Sequence, residues 1–165
     1  MARVGNACTK AVAQILRGPE GLAFQAAAML QQEGVDFPGI EASQVVTQNV
    51  AFELAERSEG VKYPAFYVYC DKIKNQLREK FRNFSGTASM AIEVRVTKDR
   101  LGRLEWELQS WVEAVTQALD ANRGDWGQGM FFGGVYEVTF GAVKHGGKNF
   151  VEVAKVTFDV DVSAS

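Results

Sequence analysis

The sequence predicts an α+β fold: a largely antiparallel sheet of about five strands, covered on one face by a long helix and preceded by N-terminal helices. Three observations predict it. Residues 1–40 carry two helical patterns and no strand pattern. From Val45 to Val162, apolar and polar residues alternate at period two in several separate runs. Between two of those runs lies one long amphipathic stripe, Leu104 to Leu119. Hairpin-linked strands with a helix on one face make an antiparallel α+β sheet. A chain of 165 residues suits one core. The helical segment 1–40 and the α+β segment 41–165 are therefore expected to form one compact unit.

In "TKAVAQILRGPEGLAFQAAAMLQQEG" the pair Gly18-Pro19 separates two helices. Pro19 suits the start of the second, and Gly34 suits its C-cap. Leu22, Gln25, Ala26, Met29 and Leu30 share one face of that helix. "VDFPGIEAS" reads as a loop. Val46, Gln48, Val50, Phe52 and Leu54 then share one face of a first strand, "RSEG" turns the chain, and "YPAFYVYC" is a second strand, with Pro64 at its start or on an exposed edge. "DKIKNQLREKFRNF" has Ile73, Leu77 and Phe81 four apart among basic residues, so it is a short amphipathic helix or an excursion between strands. In "SMAIEVRVTKDRLGRLEWELQSWVEAV" the period changes. Met90, Ile92, Val94 and Val96 face one way and Glu93, Arg95 and Thr97 the other; after "KDRLGR", Leu104, Leu108, Trp111, Val112, Val115 and Leu119 form the helical stripe. A glycine-rich loop, "RGDWGQGMFFGG", leads to the strands "VYEVTFGAVK" and "NFVEVAKVTFDVDV", joined by "HGGK" as a hairpin turn. Ala154, Val156, Phe158, Val160 and Val162 face one side of the last strand.

Composition narrows the function classes. A net charge of −2 argues against a generally polyanion-binding surface. No apolar run approaches the roughly 18 residues of a membrane span, and the start carries no signal-peptide pattern. Two cysteines make no disulfide framework and suit a reducing cytosol. The single histidine, His145, falls in a turn, and neither Cys8 nor Cys70 has a neighbour in sequence that would activate it. No spacing resembles a zinc site or a phosphate loop. The expectation is no enzyme, no cofactor and no metal.

Three features remain for binding. Lys74, Arg78 and Arg82 form the one basic cluster, either a solvated face or a docking surface for an acidic partner or a phosphate. Trp126, Met130, Phe131 and Phe132 sit in the glycine-rich loop, either buried under the sheet or held out for a neighbouring subunit. An open sheet also has two edges that must be covered, charged or paired.

The succession "YPAFYVYCDKI", "GTASMAIEVRVT", "LEWELQSWVEAVTQAL" and "VYEVTFGAVKHGGKNFVEVAKVTFDVDV" resembles the tail terminator (tail-completion) proteins of long-tailed bacteriophages. The resemblance covers roughly residues 45–162 and rests on element order. It implies a virion structural protein, assembled in the host cytoplasm. As a homohexameric ring in the neck, it would cap the tail tube protein and join it to a head-side connector or stopper. DNA would pass through the lumen without specific binding, so an acidic lining is favoured, with Glu152, Asp159 and Asp161 as lumen candidates. The alternatives are another neck ring, a small enzyme or ligand-binding domain with a pocket beneath residues 124–134, or a nucleic-acid-binding protein using residues 72–82.

Overall fold

The computed structural model describes residues 3–34, 39–56, 61–146 and 149–165. Two helices come first, α1 (Val4–Arg17) and α2 (Leu22–Glu33). They are followed by β1 (Val45–Val46), α3 (Phe52–Glu56), β2 (Ala65–Asn75), β3 (Phe84–Lys98) and the long helix α4 (Leu104–Ala121). Then come β4 (Gly124–Gly127), β5 (Met130–Phe132), β6 (Tyr136–Phe140), β7 (Lys144–Gly146) and β8 (Asn149–Ala164). The fold is α+β, as the periodicities predict. The sheet has eight strands rather than about five, and one pair, β1 with β2, is parallel.

β3 and β8 form its centre. They pair antiparallel along their whole length, from Phe84 opposite Ala164 to Lys98 opposite Phe150. β2 pairs with the outer side of β3. The outer side of β8 is shared by three short strands: β7 at Asn149–Val151, β6 at Ala154–Phe158 and β5 at Asp161–Val162. One face of the sheet is apolar at every second residue, because pleated side chains alternate. Phe66, Val68, Met90, Ile92, Val94, Val156, Phe158 and Val160 are buried there under α1 and α4, and α2 packs outside them. Leu104, Leu108, Trp111, Val112, Val115 and Leu119 are all buried, so the predicted stripe is the core face of α4. Trp111 meets Phe66 edge-on at 5.7 Å. Helical and sheet residues share one buried cluster.

Several local expectations are corrected, and one alternative left open by the sequence is decided. The run Val46–Leu54 is not a strand: only Val45 and Val46 pair, with Phe66 and Tyr67, and Phe52–Glu56 is helical. Period two marks an extended segment, but a strand also needs a partner, and "FELAE" has ordinary helix formers. The segment from Asp71 is the excursion, not a helix. β2 runs on to Asn75 because β3 continues to pair with it, Lys72 opposite Ser89 and Asn75 opposite Gly86. Leu77 and Phe81 then take positive φ of 49° and 65°, which a right-handed helix excludes. At Gly86 a Cβ would lie 2.0 Å from the Lys74 carbonyl oxygen, so only glycine permits that approach.

Pro19 lies ahead of α2, which starts at Leu22 after Gly21, and Leu30 is exposed. Gly34 does cap the helix, with φ 68° and its N–H donating to the Leu30 carbonyl at 3.1 Å. Lastly, "RGDWGQGMFFGG" is a hairpin, β4 with β5, rather than a loop. The turn "RSEG", residues 35–38 of "VDFPGIEAS" and residues 147–148 of "HGGK" lie outside the described residues. The strands flanking the last, β7 and β8, do pair as a hairpin.

Trp111→Ala is expected to lower unfolding free energy by about 3–5 kcal/mol, as for other core aromatic truncations. Trp106→Ala, on the exposed side of the same helix, should change it by less than about 1 kcal/mol. Urea denaturation followed by circular dichroism distinguishes the two.

Candidate functional site: the open face and free edge of the sheet

The sheet face turned away from α1 and α4 is polar. β8 contributes Lys155, Thr157, Asp159 and Asp161; on β3, Glu93, Ser89 and Thr87 lie opposite Lys155, Asp159 and Asp161, and Arg95 shares their face opposite Val153. β2 contributes Tyr67 and Tyr69. A bulge between Cys70 and Lys72 then shifts its register, so that Lys72 and Lys74 lie opposite Ser89 and Thr87 on the same face.

Asp159 and Asp161 are exposed on this face. With Asp71 and Glu137 they line an open depression of about 640 Å³. The Ser89 hydroxyl donates to Asp159 at 2.8 Å, and Arg78 donates to Asp161 at 3.1 Å. Glu152, grouped with these two from the sequence, does not belong there. It has the parity of Ala154 and Val156, so the pleat turns it to the helical side, where it is buried. Its Oε1 has no hydrogen-bond partner among the described residues, and burial, then the nearby Glu105 charge, push its carboxyl above the usual glutamate range.

The other end of the open face is covered. Residues around Val46, Val50, Val61 and Tyr63 pack with Ala55 on Ala65 and Tyr67. Arg95 is buried beneath them, its guanidinium 3.9 Å from the Tyr67 ring centre. It donates to Glu93 at 3.0 Å and to the Val50 carbonyl, while the Tyr69 hydroxyl donates to the other oxygen of Glu93. Burial and that carboxylate raise the Tyr69 hydroxyl well above the ordinary tyrosine range. Period two marked Arg95 as outward-facing; no local signal showed that a segment forty residues earlier folds over it.

The apolar candidates divide. Met130 and Phe132 are buried, which removes them as interface residues. Phe132 lies between Trp126 at 5.5 Å and Phe158 at 5.3 Å, and Met130 meets the Cys8 thiol at 3.8 Å. Trp126 is half-buried against the same core, its Nε1–H donating to the Asn122 carbonyl at 2.7 Å. These rings belong to the core beneath the hairpin. Phe131, pointing the other way, is exposed. The hairpin is clamped to the end of β8: Ser163 N–H donates to the Gly129 carbonyl at 2.9 Å, and a Cβ on Gly129, at φ 80°, would collide with the Ser163 carbonyl oxygen.

The basic candidates sit on the edge and tip of the β2–β3 hairpin. β1 covers β2 only at Phe66 and Tyr67, so from Val68 to Asn75 the outer edge of β2 has no strand partner among the described residues. Lys74 is exposed on that edge. Arg78 is held by Asp161 and Thr87. Arg82 is held by Glu79 at 3.6 Å and the Ser165 hydroxyl at 2.8 Å. Phe81, between them, is fully exposed, whereas Phe84 is fully buried.

The groups with latent chemistry are otherwise engaged. Burial pushes the Cys8 thiol up to about 12 and also raises Cys70, which keeps both protonated at neutral pH. His145 lies in β7, edge-on to Phe150 at 5.5 Å, not in the turn itself. Among the described residues, no group of three or more His, Cys, Asp or Glu is placed to hold a metal ion, and no helix is long and apolar enough to cross a membrane. No family model matches the chain, and no curated protein matches it.

Because the folded-state pKa of Glu152 is raised, the native state holds its proton to higher pH than the unfolded chain. This group's contribution is therefore complete below about pH 4.3 and is lost as pH rises through the raised value. Glu152→Gln should raise the urea midpoint at pH 7, with the difference from wild type closing on acidification. A difference independent of pH would contradict the burial of an ionisable carboxyl.

Proposed function

We propose that this chain is a ring subunit of the neck of a long-tailed bacteriophage, one that terminates the tail tube and joins it to the head connector. The observation that carries the reading is the edge of β2 from Val68 to Asn75, which has no strand partner among the described residues and continues into a tip where Leu77 and Phe81 are exposed. Unpaired strand edges and exposed aromatic anchors are what a subunit presents to its neighbours. Element order, which carries the resemblance to tail terminators, supports the same reading: strand, strand, helix, then strands ending in the alternating "VTFDVDV". The open face adds a surface suited to passing DNA. Asp159 and Asp161 with Asp71 and Glu137 repel phosphates, and Arg78 is paired with Asp161 rather than free to grip them.

A nucleic-acid-binding role for residues 72–82 is the weaker reading, since Arg78 and Arg82 both face carboxylates of this chain. A head-completion ring or a stopper would use the same surfaces. The position on the particle, not the subunit fold, distinguishes those from a terminator.

Peptides of this chain should be recovered from purified virions, and gold-labelled antibody should mark the head–tail junction. A ring subunit absent from virions, or labelling at the distal tail, would overturn the reading. Replacing Asp159 and Asp161 together with Lys should leave particles assembled but slow DNA ejection in a salt-dependent manner.

A further inference from the structure

The hairpin tip between β2 and β3 is built to be rigid and apolar at its apex. The Asn75 carboxamide ties the two arms, accepting from Leu77 N–H at 3.2 Å and Ser85 N–H at 3.1 Å and donating to the Asn83 carbonyl at 3.0 Å. Glu79 N–H donates to the Ser85 hydroxyl at 2.7 Å, and the Ser163 hydroxyl donates to the Glu79 carboxylate at 2.7 Å. These bonds hold Leu77 and Phe81 in left-handed conformations and direct both side chains into solvent. A bulky residue in that region is strained and persists only where its surroundings over-determine it. Of the three cations at the tip, Arg78 is paired with Asp161 and Arg82 with Glu79, which leaves Lys80 without an ion-pair partner among the described residues.

A groove of matching character lies on the opposite edge of the sheet. Between α4 and β6, Trp106, Tyr136, Val138 and Phe140 line a depression of about 570 Å³ with Glu33 and Glu113. Its lining contains no lysine or arginine, and Arg103 stacks on Trp106 at 4.5 Å. Trp106 and Phe140 are substantially exposed. The volume falls within the roughly 300–1,000 Å³ of sites that seat a ligand.

We infer that the Leu77–Phe81 tip of one copy docks in the α4–β6 groove of the next copy, apolar apex against apolar floor and Lys80 against Glu33 and Glu113. A chain cannot fill its own groove this way. The tip belongs to the β2 edge and the groove to the β6 edge, with β3 and β8 between them, roughly 14 Å of sheet. The tip is also pinned to the far end of β8. The contact is therefore head-to-tail, and repeated head-to-tail contacts close into a ring when the rotation per subunit divides a full turn. The inference rests on the ring reading for that closure, and it deepens it by naming the subunit contact.

Sedimentation velocity across a concentration series tests it with two variants. F81G removes the anchor and relieves the positive-φ strain, so the monomer should unfold at the same or higher urea concentration while subunit affinity falls by about 30-fold or more. F140E spoils the groove and leaves the tip intact. Each variant alone should sediment as a monomer where wild type forms a closed oligomer. Mixed together they should form a dimer that grows no further, because only one competent tip and one competent groove remain. Wild-type-like assembly of F81G, or a mixture that stays monomeric, would overturn this contact and leave the ring reading standing. A wild type that stays monomeric throughout would also overturn it, whereas the ring reading falls only on absence from the virion neck.

Discussion

The antiparallel pairing of β3 with β8 is the constraint on which the other elements depend. Fifteen residues of β3 are bonded along one side of β8, so β2, β5, β6 and β7 pair with one of these two strands, and α1 and α4 pack against them. Because the register is continuous, the pleat keeps one face apolar over the full length of the pair, and α1 and α4 cover that face together. The opposite face is polar by the same necessity. A one-residue slip would bring Asp159 and Asp161 under the helices and expose Val156 and Val160, so the register is strongly held.

Much of this was legible in the chain, for identifiable reasons. α4 is amphipathic with a wide stripe, and a stripe of that kind has one solution, which is burial of Leu104 to Leu119. β8 alternates over its whole length, and the parity of Ala154 and Val156 alone places Glu152 inside, a signal that was present and outweighed by the charge of the residue. What the chain could not show was pairing. Whether Val46–Leu54 becomes a strand depends on a partner that β2 offers for only two residues. Whether Ile73, Leu77 and Phe81 form a helical face depends on β3 continuing to bond with β2. Arg95 is buried by a segment distant in sequence, and Phe81 is exposed because Asn75 and Ser85 close the turn beneath it. In each case a tertiary contact overrode a local period.

The candidate surfaces follow the same division. Phe131 is outside, one of the two positions the sequence left open, while Met130 and Phe132 are taken into the core because β5 pairs with the end of β8 and alternation leaves one of three adjacent apolar residues outside. Arg78 and Asp161 were named for different purposes, one for docking and one for a channel wall, and they form one ion pair. Both groups are more than half as exposed as they could be or nearly so, and such a pair contributes at most about 1 kcal/mol to stability. Its effect is to join the hairpin tip to the open face, so that a change at either is felt at the other.

β8 follows in sequence every strand that it pairs with, and this has a consequence for timing. During synthesis β3 is made with one side bonded to β2 and the other vacant, β5 can bond only to β4, and β6 and β7 emerge with no strand to bond to. The bonds that close the sheet are distant in sequence and form only after Asn149–Ala164 has left the ribosome. Until then the apolar floor under α4 lacks its second strand and the tip lacks Asp161 and Ser163 to hold it. A half-made copy therefore lacks the ion pair from Asp161 and the hydrogen bond from Ser163 that fix its tip, and the tip is set only when the last strand is in place.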